Sequence, residues 1–172
     1  MKKILSLLVF AFVCVFVQQN CMAQMPKVVL NDINGKKVST DTLGTHGTPV
    51  IIDFFATWCK PCNRELSAIA DVYKDWQKET GVRVVAVSID KAQNVNKVKP
   101  LVRENGWPYE TVLLDVNEKL KHGLGVQAIP YVLIIDGHGK IIYKHNGYTD
   151  GAEEELIETI RGLKKAKKTK KK

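Results

Sequence analysis

The sequence predicts an α/β domain: a central mixed β-sheet with helices on both faces. Three observations carry this prediction. Val50 to Phe55 (VIIDFF) is apolar except for Asp53, as a strand buried on both faces would be, and Val82 to Ile89 (VRVVAVSI) is a second such run. Between them Leu66, Ile69, Tyr73 and Trp76 recur at helical spacing, and strand, helix, strand in that order implies a right-handed crossover between parallel neighbours. Later, Tyr131 to Ile135 and Lys140 to Lys144 flank an Asp136-Gly137 turn with Gly139 behind it, which reads as a hairpin.

The remaining elements follow in chain order. Met1-Lys2-Lys3 is a basic start, Ile4 to Val17 is apolar apart from Ser6, and Cys21-Met22-Ala23 offers a cleavage point. Residues 1–23 are therefore expected to be a signal peptide. The apolar run is 14 residues long, short of the ~20 of a spanning helix; an uncleaved membrane anchor is the alternative. Asn20 and Gln18 argue against lipidation at Cys21. Residues 24–163 then form one domain, since a chain of 172 residues is long enough for one sizeable core and short for two. Val28 to Leu30 and Lys37 to Ser39 flank Asn34-Gly35, an N-terminal hairpin extension. His46 to Pro49 is a break before the Val50 strand, and Gly81 ends the helix after it. Val95, Val98 and Leu101 suggest a helix between Gln93 and Glu104, bent or delayed by Pro100. Gly106-Trp107-Pro108 breaks it, Thr111 to Leu114 reads as a short edge strand, and Leu120 to Leu124 as a helical turn. The last helix runs from Glu153 to about Lys165, acidic at its start and basic at its end in accord with the helix dipole.

Charge is uneven along the chain. The net charge is +8, but Arg161 and seven lysines crowd the end, and without them and the leader the body is close to neutral. Residues 164–172 form a basic tail without interleaved aromatics, which suits weak contact of Lys164–Lys172 with anionic lipid rather than specific nucleic-acid recognition. A merely solvated terminus is the alternative.

The four cysteines are Cys14, Cys21, Cys59 and Cys62, and removal of the leader leaves only the last two. A bond closing so short a loop would constrain the unfolded chain little, so the pair suits exchange chemistry better than stapling. The strand delivers the chain to Cys59, and the helix starts there, where unpaired N–H groups and the dipole favour a thiolate. Cys59 is thus the expected attacking thiol and Cys62, one turn on, the resolving one. Pro61 is tolerated in the first turn, and Lys60 adds screened positive charge. The alternatives are an inert disulfide or half a zinc site. Zinc would need two more ligands, and His46, His122, His138 and His145 supply no paired spacing. No metal or cofactor is expected.

The segments FFATWCKPC (Phe54 to Cys62), VQAIPYVLIIDGHGKIIYKHNGY (Val126 to Tyr148) and LNDINGKKVS (Leu30 to Ser39) resemble the thioredoxin superfamily. More narrowly, they resemble its exported thiol-disulfide oxidoreductases, the TlpA/ResA-like group related to cytochrome c maturation proteins. The resemblance implies a thioredoxin-like fold with a central insertion, and a cis Pro130 stacked against the cysteine pair. It also implies that Asp53 is the buried acid beneath Cys62, in agreement with the cost of a carboxylate in an apolar strand; a side chain escaping at a sheet edge is the alternative. Trp58 is expected to shield the thiols and touch substrate, with core packing as its alternative. Ile129 and Tyr131 flank Pro130, where a substrate peptide would pair, although Tyr131 could equally face the core. Trp107 and Tyr109 fall in the insertion as a candidate recognition surface, and Asp90 is a candidate stand-in for an acid that some relatives carry after the central strand. The leader places the chain outside the cytoplasm, in the periplasm, and a monomer is expected; the resemblance implies that it reduces protein disulfides and is resupplied by a membrane thiol-disulfide donor. A disulfide-forming oxidase and a redox-inactive binding module of the same fold are the competing functions.

Overall fold

The computed structural model describes residues 24–169, with side chains described as far as Lys165; the expected leader and the last three residues of the basic tail lie outside that range. Seven strands form one sheet: β1 (Val29–Asp32), β2 (Lys37–Ser39), β3 (Val50–Phe55), β4 (Arg83–Ser88), β5 (Thr111–Leu114), β6 (Tyr131–Ile135) and β7 (Ile141–Asn146). The helices are α1 (Lys60–Thr80), α2 (Val98–Glu104), α3 (Lys119–Gly123) and α4 (Glu153–Thr169), with short 3-10 turns at Thr40–Thr42 and Val95–Lys97. The strand order is β2-β1-β5-β4-β3-β6-β7. The pairs β3–β4 and β4–β5 are parallel, and every other pair is antiparallel.

The centre of the sheet is where the apolar runs placed it. All six residues of β3 are buried, and in β4 only Arg83 is not. Parallel strands flanked by helices need apolar side chains in both directions, which is why these runs do not alternate. Helix α1 closes where expected: Gly81 takes φ +74° and its N–H reaches the Gln77 carbonyl, a left-handed cap that glycine adopts without steric cost. Its apolar stripe lies in the core, and α4 packs against it.

Two expectations change. Thr111–Leu114 is not an edge strand, because the N-terminal hairpin folds back and β1 pairs antiparallel with β5, matching Asn31 to Leu114. The edge moves outward to β2. Of the two readings at Pro100 the delayed helix holds: a 3-10 turn precedes the short α2, and Pro100 sits in its first turn, where a missing N–H is tolerated. Helix α4 also runs to Thr169 rather than ending near Lys165. Lys164 therefore belongs to a packed helix, and its ammonium donates to the Glu79 carbonyl near the C-terminus of α1.

Candidate active site

The β3 strand ends at Phe55 and α1 begins at Lys60, so Ala56 to Cys59 form the link at the C-terminal ends of the parallel strands. Crevices beyond those ends are the usual ligand sites of such sheets. Cys59 is the N-cap of α1, with extended backbone (φ −87°, ψ 92°), and its Sγ accepts the Cys62 N–H at 3.3 Å. An amide aimed at this sulfur and the positive end of a 21-residue helix both favour negative charge on Cys59. The two sulfurs are joined in a disulfide with Cα atoms 5.3 Å apart. Cys62 is fully buried, whereas Cys59 keeps a little exposure.

Asp53 lies on β3 opposite Ala86 of β4 and Val132 of β6. It is central in the sheet and fully buried, so it does not escape at an edge. Neither carboxyl oxygen has a hydrogen-bond partner among the described residues. Burial, and after it the nearby Glu65, hold this acid well above the ordinary aspartate range.

Glu65 was not expected. It follows Cys62 by three positions and so shares its side of α1. It is 2% exposed and leaves Oε2 unpaired. Burial first and Glu153 second push its pKa up to about 8. The sequence held one signal for it: a charged residue within the stripe Cys62, Leu66, Ile69, Tyr73 and Trp76.

The insertion aromatics point inward, which sets aside their candidacy as a recognition surface. Trp107 and Tyr109 are 5% and 7% exposed. The Trp107 ring meets Phe55 edge-on at 5.5 Å, and its indole N–H donates to Ser67 Oγ at 3.0 Å. Tyr109 packs edge-on against Tyr73 at 5.6 Å, and its hydroxyl donates to the Leu66 carbonyl. Burial, followed by the Asp53 carboxyl, raises the Tyr109 phenol. These rings lie against β3 and α1 because β4 and β5 are parallel neighbours, and the crossover between them returns over α1.

Trp58, in contrast, is 64% exposed, which excludes core packing. Beside it a cleft of about 470 Å³ opens towards α2, lined by Thr57, Trp58, Asn94, Lys97, Pro100 and Leu101 among others. The Ile129–Pro130 peptide is cis. Tyr131 of β6 pairs with Phe54 of β3, so Pro130 comes next to the end of β3 from which the Cys59 link departs. Ile129 is half-buried. Tyr131 is also half-buried, with its ring edge against Phe54 at 6.4 Å, so it looks partly to the core, as its alternative allowed. Asp90 is buried and bonded to Thr57.

Comparison with known proteins agrees with this arrangement. Residues 22–144 match the model of the AhpC/TSA family. The chain is 32% identical over 119 residues to the thiol-disulfide oxidoreductase ResA of Bacillus thuringiensis (strain Al Hakam), an alignment that covers 69% of this chain and 65% of that protein. It is 31% identical over 117 residues to ResA of Bacillus subtilis (strain 168), covering 68% and 62%. The chain thus spans a little under two thirds of these relatives. A solution structure of an uncharacterized thioredoxin-like protein from Porphyromonas gingivalis superposes with TM-score 0.72 at 58% identity, covering 84% of this chain and 94% of that one.

Proposed function

We propose, for a chain that belongs to the AhpC/TSA family and has a thioredoxin-like fold, that it reduces protein disulfides through Cys59 and Cys62. The carrying observation is the Cys59–Cys62 disulfide at the N-terminus of α1, with Glu65 buried one turn further along that helix and Asp53 buried in the strand that leads to it. In the reduced protein the Cys59 thiolate attacks one sulfur of a substrate disulfide. A bond forms between the two, and the departing substrate sulfur takes a proton. Cys62 then loses its proton to a buried carboxylate and attacks Cys59 Sγ. The protein disulfide forms, and the second substrate thiol leaves. Two electrons pass from the dithiol to the substrate, and a second dithiol must return them.

Asp53 is the assigned proton acceptor, since it is fully buried with both oxygens orphaned, and burial raises its affinity for a proton. Glu65 acts on Asp53 electrostatically and strengthens its hold on that proton. Trp58, Ile129 and Tyr131 are assigned to substrate contact, with Pro130 between the last two. Similarity to proteins named thiol-disulfide oxidoreductases supports the class of chemistry. Among the described residues no helix is long and apolar enough to cross a membrane. Export to the periplasm, a membrane-bound electron donor, action as a monomer and lipid contact by the basic tail complete the proposal.

Two measurements test it. Cys62→Ser should trap mixed disulfides attached through Cys59, as read by peptide mapping; attachment through Cys62 in a Cys59→Ser protein would reverse the roles. Equilibration with defined glutathione buffers should give a potential near or below about −200 mV, whereas a value near the roughly −120 mV of a strong oxidant would overturn reduction. One observation favours that second outcome: the amide on Cys59 Sγ stabilises the reduced form.

A further inference from the structure

Asp90 lies two residues beyond β4 and is 1% exposed. An ionised carboxyl at that depth is costly unless its oxygens are satisfied, and here they are. Oδ2 accepts the Thr57 N–H at 2.8 Å and the Ser88 hydroxyl at 2.9 Å, and Oδ1 accepts the Thr57 hydroxyl at 2.7 Å. The Asp90 N–H in turn donates to Ser88 Oγ at 3.1 Å, which locks the side chain from behind. Two of the three contacts on the carboxyl fall on one residue, 33 positions earlier in the chain.

Thr57 is the middle of the link between β3 and Cys59. Its carbonyl is also engaged, by Asn63 Nδ2 at 3.4 Å, and the Cys59 N–H reaches Ala56 O at 3.0 Å. The next residue, Trp58, stands out into solvent, so its direction follows from the backbone that precedes it. Ser88 pairs with Phe55 at the ends of β4 and β3. The Asp90–Ser88 unit is thereby anchored on the sheet, and it grips the link that leads to the sulfur.

We propose that Asp90 is a positioning residue for thiol-disulfide exchange: by holding both the amide and the hydroxyl of Thr57, it fixes the turn that presents Trp58 and Cys59 to a substrate. The proposal rests on the exchange reading above. Attack on a disulfide needs three sulfurs in line, and small displacements of a reacting group lower rates steeply. Asp90 touches neither sulfur nor substrate in this role; it acts through Thr57.

The test uses the reduced full-length protein and four variants: Asp90→Ala, Thr57→Val, Thr57→Ser, and the double variant of the first two. Two rates are read on folded protein, reduction of a peptide disulfide and alkylation of Cys59 by iodoacetamide. Asp90→Ala should slow peptide reduction about tenfold. Thr57→Val, which replaces only a hydroxyl by a methyl and so guards against misfolding of the first variant, should lose much of the same factor. Thr57→Ser should recover most of what valine loses, and the double variant should be little slower than Asp90→Ala alone. Peptide reduction by Thr57→Val within twofold of the parent, no recovery by serine, or multiplied losses in the double variant would each overturn the clamp. If the parent protein reduces no disulfide, the exchange reading fails, and the alkylation rates alone decide the clamp: unchanged rates overturn it, and altered rates restored by serine sustain it.

Discussion

Asp53 and Glu65 are buried with unpaired oxygens, and their protonation is tied to folding. Both titrate above their ordinary range, so the native state holds protons that the unfolded chain has already lost. Stability must then fall as pH rises. For Glu65 the advantage of the protonated form is complete below its ordinary 4.5 and is eroded as pH climbs towards about 8. Glu65→Gln should therefore raise the melting temperature at pH 7.5 and leave it nearly unchanged at pH 4, as thermal denaturation at both pH values would show. The same sign at pH 4 and 7.5 would mean that packing, not ionisation, dominates. Asp53→Asn should lengthen the life of the mixed disulfide at least tenfold, within the range of general-base effects, as acid-quench trapping would reveal. At this scale the sequence was legible where chemistry demanded a residue type: two cysteines at a helix start, and a carboxyl in an apolar strand. Glu65 escaped notice because a glutamate on a long helix ordinarily reaches solvent. The core role of Trp107 and Tyr109 was not legible, because burial on an insertion depends on the face to which the crossover returns.

At the scale of elements, the loops opposite the site are locked by glycines. A Cβ on Gly137 would lie 2.3 Å from the Gly47 carbonyl carbon and 2.4 Å from its oxygen, and one on Gly44 would lie 2.5 Å from Gly139 Cα. These atoms are backbone, which cannot swing aside as a side chain can. The close approach joins the segment entering β3 to the β6–β7 turn, where the Gly47 N–H donates to Gly137 O at 3.2 Å. Gly137→Ala should cost at least the 1–3 kcal/mol typical of overpacking, while Gly162→Ala, with open space around its Cβ position, should not destabilise. Urea denaturation of the two variants gives the comparison. The sequence marked Gly137 as a turn residue, but its partner Gly47 lies 90 positions away and could not be inferred from spacing. The same holds for β5. Its length and composition suit an edge strand, and only the return of the hairpin, with Asn31 against Leu114, makes it internal. Sequence patterns located each described strand and paired β3 with β4 and β6 with β7, and left the rest of the order across the sheet to tertiary pairing.

For the whole molecule, the near-neutral body and the basic end suggest separate tasks. If the tail attracts anionic lipid, full-length protein should sediment with anionic liposomes at low salt more than a form ending at Leu163, and the gap should narrow at physiological salt. Equal sedimentation would remove the role. Because Lys164 donates to Glu79 O, a form ending at Lys165 separates loss of charge from loss of this helix contact. The N-terminal hairpin has a consequence of another kind. If the proposed exchange acts on partly unfolded chains, the protein meets extended segments looking for a strand to pair with, and open sheet edges template such pairing. By covering β5, the hairpin moves one edge to β2, only three residues long and beginning with Lys37. The other edge, β7, has its last three residues, Lys144, His145 and Asn146, exposed, and Gln24 forms a bridge to Lys140 just before it starts. A three-residue border on one side and a polar, exposed end to the other leave such a segment little to zip onto, which would steer contact to the sulfur and away from co-aggregation.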